Sequence, residues 1–484
     1  MPVGRFLAVV VGLLGVLGAS PVQTPFQPFA VPGTDIRLLP ECERNLKRVV
    51  LGLTPNQTKH FMLPETGSWN ARTRDPRVLF LRRQLYWLNF ELLHGGILKA
   101  APRYTEFYFA VPDPRFVTSS FGNEEPVLRE YLHRRIGWSS QEISRRAHFF
   151  RVPEVMLFPR DIAEPLGRDS RERLVLAIGA DSDSWYADSL EKMVRAFPND
   201  FLVRILPEVN TEGGDLSLAW LPDGNMAVLV GYHRILRYEE TKRGVEMKGE
   251  RMDSTWIASG KDAFRRAFFG LEVLVVGEEN LREPKFVNDE LFHLDMVVNV
   301  LKGSRGVVAF VPSYTEPPVD AMSHVAIAAS LTQHLEREYD RVAAQLAARG
   351  YRVVRLPFRD HPDRTPVQVA DFVDAETGKP SLLLGKYPYH LELPGGRNPQ
   401  HELQESLHAL ESAVEEWRQS PTGARWQGVR NRIAFVWRAL DTASKSPNPN
   451  FEMQARIYES EGVRVIPVPI VPTGEGGIHC LLLN

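Results

Sequence analysis

The chain has 484 residues, 43% hydrophobic and 24% charged, which excludes large-scale disorder and leaves room for one large α/β domain or two ordinary ones. Its 58 Lys and Arg nearly balance 60 Asp and Glu, for a formal net charge of −2. No basic stripe marks a polyanion site, so nucleic acid is excluded as a partner and a small or peptidic one is expected.

Residues 1–20 read as an export signal: Arg5 supplies a positive start, Phe6 to Leu17 an apolar run, and Gly18-Ala19-Ser20 small residues for cleavage. Pro21 makes the bond after Ser20 a poor cleavage site, which leaves cutting after Ala19 or an uncleaved anchor. The run is short for a transmembrane helix, and no later stretch is long and apolar enough. An exported protein, secreted or periplasmic, is expected. Residues 21–92 read as a linker and N-terminal extension: Pro21 to Pro32 is rich in Pro, Gln and Phe, and helical spacing predicts a helix over Leu79–Leu93. Asn56-Gln57-Thr58 matches a glycosylation sequon.

Residues 93–484 read as one catalytic domain in which a unit recurs: an amphipathic helix, a β-branched strand, then Pro or Gly. The helices Glu124–Ile136, Trp185–Phe197, Lys261–Phe269, Glu336–Arg349 and Phe451–Glu461 lead to strands ending at Pro153, Pro207, Gly277, Pro357 and Pro467. Two hairpins lie between them, Leu216–Trp220 with Ala227–Val230 around Pro222-Asp223-Gly224-Asn225, and Asp374–Leu384 around Glu376-Thr377-Gly378. Strands alternating with helices predict an α/β fold. Five ββαβ-like units most simply close into a ring, a five-bladed β/α propeller; a doubly wound sheet is the alternative.

Three constellations carry chemistry before the end of the chain. Leu157-Phe158-Pro159-Arg160-Asp161 follows the first unit's strand, and Thr211-Glu212-Gly213-Gly214-Asp215 follows the second's. The glycine pair in the latter lets the backbone turn tightly while Glu212 and Asp215 point toward one volume. Phe292-His293-Leu294-Asp295-Met296 has a strand-like apolar flank, and a period of two would place His293 and Asp295 on one face. Read alone, that pair is as well a self-satisfied core pair or two metal ligands, but no other His or Cys stands nearby at ligand spacing.

The end of the chain, Glu475-Gly476-Gly477-Ile478-His479-Cys480, makes Cys480 a candidate nucleophile, since the glycine pair permits the sharp bend on which reactive thiols sit. The competing readings are a buried apolar filler or a disulfide with Cys42, the other cysteine. A thiol, an imidazole and carboxylates together suit a planar cation, because carboxylates hold a guanidinium in forked hydrogen bonds.

In this order, F-x-R-D, E-G-G-D, H-x-D and G-G-I-H-C resemble the pentein superfamily of guanidino-modifying enzymes, most closely agmatine deiminases and bacterial peptidylarginine deiminases. The resemblance covers roughly residues 95–484. It implies a five-bladed propeller without cofactor or metal, Cys480 as nucleophile, His293 as general acid and base with Glu212 orienting it, and Asp161 and Asp295 gripping the guanidinium, with Asp215 among the substrate-binding acids. The expected activity is hydrolysis of a guanidino group in arginine, agmatine or an arginyl peptide to a ureido product and ammonia. An amidinotransferase on the same scaffold and a silent binding protein with Cys42 and Cys480 paired are the rivals. A papain-like peptidase fits poorly, because there the Cys precedes its His.

Overall fold

The computed structural model describes residues 26–52, 75–113, 115, 124–153, 160, 163–179, 184–206, 208–209, 213–244, 252–282, 293–314, 325–358, 365–386, 399–446, 448–469 and 483. The class is α/β, with five small sheets. In chain order the elements begin with β1 (Phe29–Ala30), β2 (Arg37–Leu38) and β3 (Arg48–Gly52), then helix α1 (Pro76–Phe90), which passes through a π turn (Glu91–Gly95) into α2 (Gly96–Ala100). Next come β4 (Glu106–Pro112), α3 (Glu125–Tyr131), a second π turn (Leu132–Ile136), α4 (Ser140–Arg146), β5 (Ala147–Val152), β6 (Glu164–Arg168), β7 (Leu174–Gly179), α5 (Ser184–Ala196) and β8 (Phe201–Leu206). The next unit is β9 (Leu216–Trp220), β10 (Met226–Gly231), α6 (Tyr232–Arg243), α7 (Ser254–Ala267) and β11 (Glu272–Val276), followed by β12 (Asn299–Gly303), β13 (Gly306–Tyr314), α8 (Val325–Ala348) and β14 (Arg352–Phe358). The last is β15 (Ala370–Val373), β16 (Pro380–Lys386), α9 (Pro399–Gln419), α10 (Gly423–Lys445), α11 (Pro449–Ser460) and β17 (Arg464–Pro469).

Four sheets share one plan. The pairs β6/β7, β9/β10, β12/β13 and β15/β16 run antiparallel, and a helical crossover then returns β8, β11, β14 and β17 parallel to the second strand of each pair. Tight turns close the hairpins: Gly224 takes φ +87° where Leu221 N–H donates to Asn225 O at 2.7 Å. Middle strands such as β7, Leu-Val-Leu-Ala-Ile-Gly, are buried along their whole length, as strands covered on both faces must be. Local capping sets the helix starts: Ser139 and Glu142 form a capping box on α4, and the Asn448 side chain accepts from Phe451 N–H ahead of α11.

One expectation is corrected. The fifth sheet, β3-β4-β5, is parallel throughout, because the β3 to β4 connection contains α1 and α2 and is a crossover rather than a hairpin. Its β3 lies inside residues 21–92, and so does the β1/β2 hairpin, which joins β6 through β2.

The turn Glu41–Glu43 and the Arg44 that follows it gather the first strands of the four like units. Glu43 accepts from Trp220 Nε1 of β9 at 3.2 Å and faces Lys302 of β12 at 3.6 Å. Arg44 reaches Glu164 of β6 at 3.4 Å, and its carbonyl accepts from Val373 N–H of β15 at 2.7 Å. Glu164 also pairs with Arg160 at 2.8 Å, which in turn meets Glu41. Arg44, Arg160 and Glu164 are almost fully buried, and at such depth each charge needs its partner. Cys42, in the same turn, is a free buried thiol; burial, then Asp371 and Glu43, hold it protonated and unreactive.

Candidate functional site

Two short turns far apart in sequence meet beside the start of β9. The first, Gly213–Asp215, is a single 3-10 turn, and the second, Leu294–Met296, is another, entered from His293 with extended backbone. The expected strand through His293 and Asp295 is therefore absent: Met296 N–H donates to His293 O at 3.2 Å and Val297 N–H to Leu294 O at 2.9 Å, and β12 begins only at Asn299. The tight turn still brings the pair together. His293 Nδ1 lies 3.9 Å from Asp295 Oδ1, with both side chains about 6% exposed.

Asp215 fastens the two turns. Its Oδ1 accepts from Leu294 N–H at 3.2 Å, and its Oδ2 accepts from Arg234 Nε of α6 at 2.5 Å. Both oxygens of a carboxylate that is 1% exposed are thus engaged by the protein. Asp215, expected among the substrate-binding acids, closes the first turn and uses both its oxygens within the protein.

Glycine is required at two of the contacts. A Cβ on Gly214 would lie 2.5 Å from His293 Nδ1, so the imidazole rests directly on that backbone. A Cβ on Gly231, just before α6, would come within 2.9 Å of Asp215 Oδ1. Arg234, Gly231 and the Leu294 amide are the functional neighbours that sequence reasoning missed. They follow no spacing rule, since Gly231 and Arg234 reach Asp215 from the start of α6 and the Leu294 amide from the second turn.

Chemically, an imidazole shielded from bulk water and held beside a carboxylate can move protons at an adjacent group, and the carboxylate favours a cation there. Of the other sequence-derived residues, Asp161, Glu212 and Cys480 lie outside the described residues. Their described neighbours are well anchored. Arg160 sits in the buried ion network with Glu164 and Glu41. Leu483 exchanges backbone hydrogen bonds with Val50 of β3, at 2.8 and 3.2 Å, and is fully buried among Tyr108, Phe150 and Leu176.

Among the described residues no group of three or more His, Cys, Asp or Glu could hold a metal ion, and no helix is long and apolar enough to cross a membrane. A separate cavity of about 210 Å³ is lined by Glu91, Lys99, Arg135, Trp437, Asp441 and neighbours, none of them a motif residue. Lys99 pairs there with Glu91, and Asp441 with Lys445 at 2.7 Å. No protein-family model and no curated protein matches this chain.

Proposed function

We propose that the chain is a guanidino-group deiminase of the pentein type, acting on arginine, agmatine or an arginyl peptide. One observation carries the reading: the Gly-Gly-Asp part of E-G-G-D meets the H-x-D turn, motifs about 80 residues apart, with the His293 ring against Gly214 and the Leu294 N–H donating to Asp215. The resemblance implies that these motifs converge, and their contact supports it. The ring architecture is part of the proposal. Its support is that four units repeat one strand plan and that β6, β9, β12 and β15 all touch the segment Glu41–Arg44.

In the proposed cycle the Cys480 thiolate attacks the guanidinium carbon, forming a C–S bond, while Asp161 and Asp295 hold the guanidinium nitrogens. Protonated His293, oriented by Glu212, donates its proton as the C–N bond breaks and ammonia leaves. Neutral His293 then takes a proton from water, whose oxygen attacks the thiouronium carbon; collapse expels the thiolate and gives the ureido product. Asp215 takes the positioning role its contacts support, fixing the His293 turn. The proposed cycle uses no cofactor, and the proposed enzyme is exported.

The test is ureido-product and ammonia formation with free arginine, agmatine and a mid-chain arginyl peptide, for wild type and Cys480→Ala under reducing conditions. Product from one substrate that falls by at least roughly a thousandfold in the variant is expected. No product from any of the three overturns hydrolysis; a repeat with an added amine acceptor then separates amidino transfer from a silent binder.

A further inference from the structure

The cavity of about 210 Å³ lies where both π turns meet helix α10 and the end of β17. The first π turn brings Glu91 and the second Arg135. Helix α10 brings Trp437, Leu440, Asp441 and Ser444, which recur at helical spacing and so share one face. Pro469 closes β17 against Gly96, where a Cβ would collide with the Pro469 carbonyl oxygen, so this wall requires glycine. Turns of the π type are rare and gather at functional sites. Both of those among the described residues give a charged side chain to this one cavity.

The charges of the cavity are only partly used. Lys99 pairs with one Glu91 oxygen, and the Tyr131 hydroxyl donates to the other. Arg135, by contrast, has no hydrogen-bond or ion-pair partner among the described residues. Its guanidinium carbon lies 3.4 Å from the centre of the Trp437 ring, and that indole is itself held, with Nε1 donating to Gln84 Oε1 at 3.3 Å. Stacking fixes the guanidinium plane and leaves its N–H edge open to solution. Asp441 accepts from Lys445 through Oδ2 at 2.7 Å, whereas its Oδ1 has no partner among the described residues. Glu91 and Asp441 act on the Arg135 charge only through space. An open cation and an open carboxylate oxygen thus share one cavity while standing beyond the reach of an ion pair, about 4 Å, from each other.

We propose that this cavity binds a free α-amino acid with an apolar side chain, its carboxylate in the Arg135 fork and its ammonium on Asp441 Oδ1. A ligand carrying both charges a short distance apart satisfies both open groups at once, and a stacked guanidinium is preset for two parallel hydrogen bonds to a carboxylate. A simple anion would meet Arg135 but face the Asp441 and Glu91 carboxylates. A simple cation would meet Asp441 but face Arg135 and Lys99 as like charges. A peptide end carries only one of the two charges. Leu440 and Pro469 offer the apolar wall for the side chain. The volume equals that of about seven liquid waters, room for the two charged groups and a short side chain. The Asp441–Lys445 pair is exposed on both sides and therefore weak, so it gives way readily to a ligand ammonium.

Isothermal titration calorimetry of the full chain with L-leucine tests this, since leucine has no guanidino group to draw it to the proposed deiminase site. A dissociation constant of about 1 mM or tighter is expected. Two relatives of leucine separate its charges: 4-methylpentanoate lacks the ammonium and 3-methylbutylamine lacks the carboxylate. Each should bind at least roughly tenfold more weakly. Arg135→Gln and Asp441→Asn should each weaken leucine binding by a similar factor with an unchanged far-ultraviolet circular dichroism spectrum. Lys445→Ala breaks the same surface pair but keeps Asp441 Oδ1, and should bind leucine at least as well as wild type. No binding of leucine at up to about 20 mM overturns the proposal. So does an affinity indifferent to both Arg135→Gln and Asp441→Asn, and so does 4-methylpentanoate binding as tightly as leucine, which would leave a simple anion site.

Discussion

At the scale of single residues, the candidate site is held by a buried acid whose partners come from two places in the chain. Asp215 joins Arg234 to the Leu294 amide, and Gly214 supports the His293 ring. The variants Asp215→Asn and Gly214→Ala separate these two functions. Asn at 215 weakens a buried ion pair, and leaving Arg234 with less counter-charge should cost about 3 kcal/mol in urea unfolding. Ala at 214 forces its methyl against the imidazole and should cost only about 1–2 kcal/mol of stability. If His293 is the proton carrier, Gly214→Ala should lower kcat by about a hundredfold or more, change KM little, and displace the pH profile. Full activity with an unshifted profile in Gly214→Ala would remove His293 from the chemistry.

At the scale of elements, α1 gives way to a π turn, and the irregularity places His94. The ring is fully buried, with Nε2 donating to Gly52 O at 2.8 Å at the end of β3. Burial lowers its pKa from 6.5 to about 4, the Gly52 carbonyl opposing only in part. The folded state therefore keeps His94 neutral where the unfolded chain would already bind a proton. Its contribution is complete above pH 6.5 and is lost as pH falls from there toward about 4, amounting to about 3 kcal/mol. Urea unfolding at pH values across this window should show that loss in wild type and a flatter response in His94→Gln; equal slopes would place the proton elsewhere. No periodicity announces such a π turn, whereas the regular elements were legible. The Trp185–Phe197 helix and the Phe201 strand stand almost where the spacing put them, as α5 and β8, because amphipathic period and a β-branched run agree there. The Pro222–Asn225 hairpin was equally plain from its turn residues. The H-x-D segment was misread as a strand, since its apolar flank is equally compatible with a buried turn. What overrode the period of two is a tertiary bond, Asp215 to the Leu294 amide, which no local pattern encodes.

At the scale of the whole molecule, the start of the stretch read as a linker and N-terminal extension ties the sheets to one another. Residues 26–52 supply β1 and β2 to one sheet and β3 to another, and the turn between them meets β6, β9, β12 and β15. Ile36, Leu38, Val49, Val50 and Leu51 are each 0–1% exposed. Burying five such side chains contributes on the order of 10 kcal/mol, comparable with the whole net stability of an ordinary domain. The charges add to this. Without Glu41 and Arg44, the buried Arg160 and Glu164 each lose a counter-charge, and without β3 the backbone partner of Leu483 is gone. A chain starting at residue 53 should therefore show no cooperative thermal transition and should bind a dye for exposed apolar surface. An appended extension would behave otherwise, its removal shifting the melting temperature by a few degrees and leaving the transition intact. The same truncation offers a sharper comparison with Arg44→Met, which removes the charge and keeps the strands. If the buried ions chiefly fix how the sheets meet, that variant should melt broadly while retaining its helix and strand content. If the strands carry the fold, it should melt as sharply as wild type, only lower.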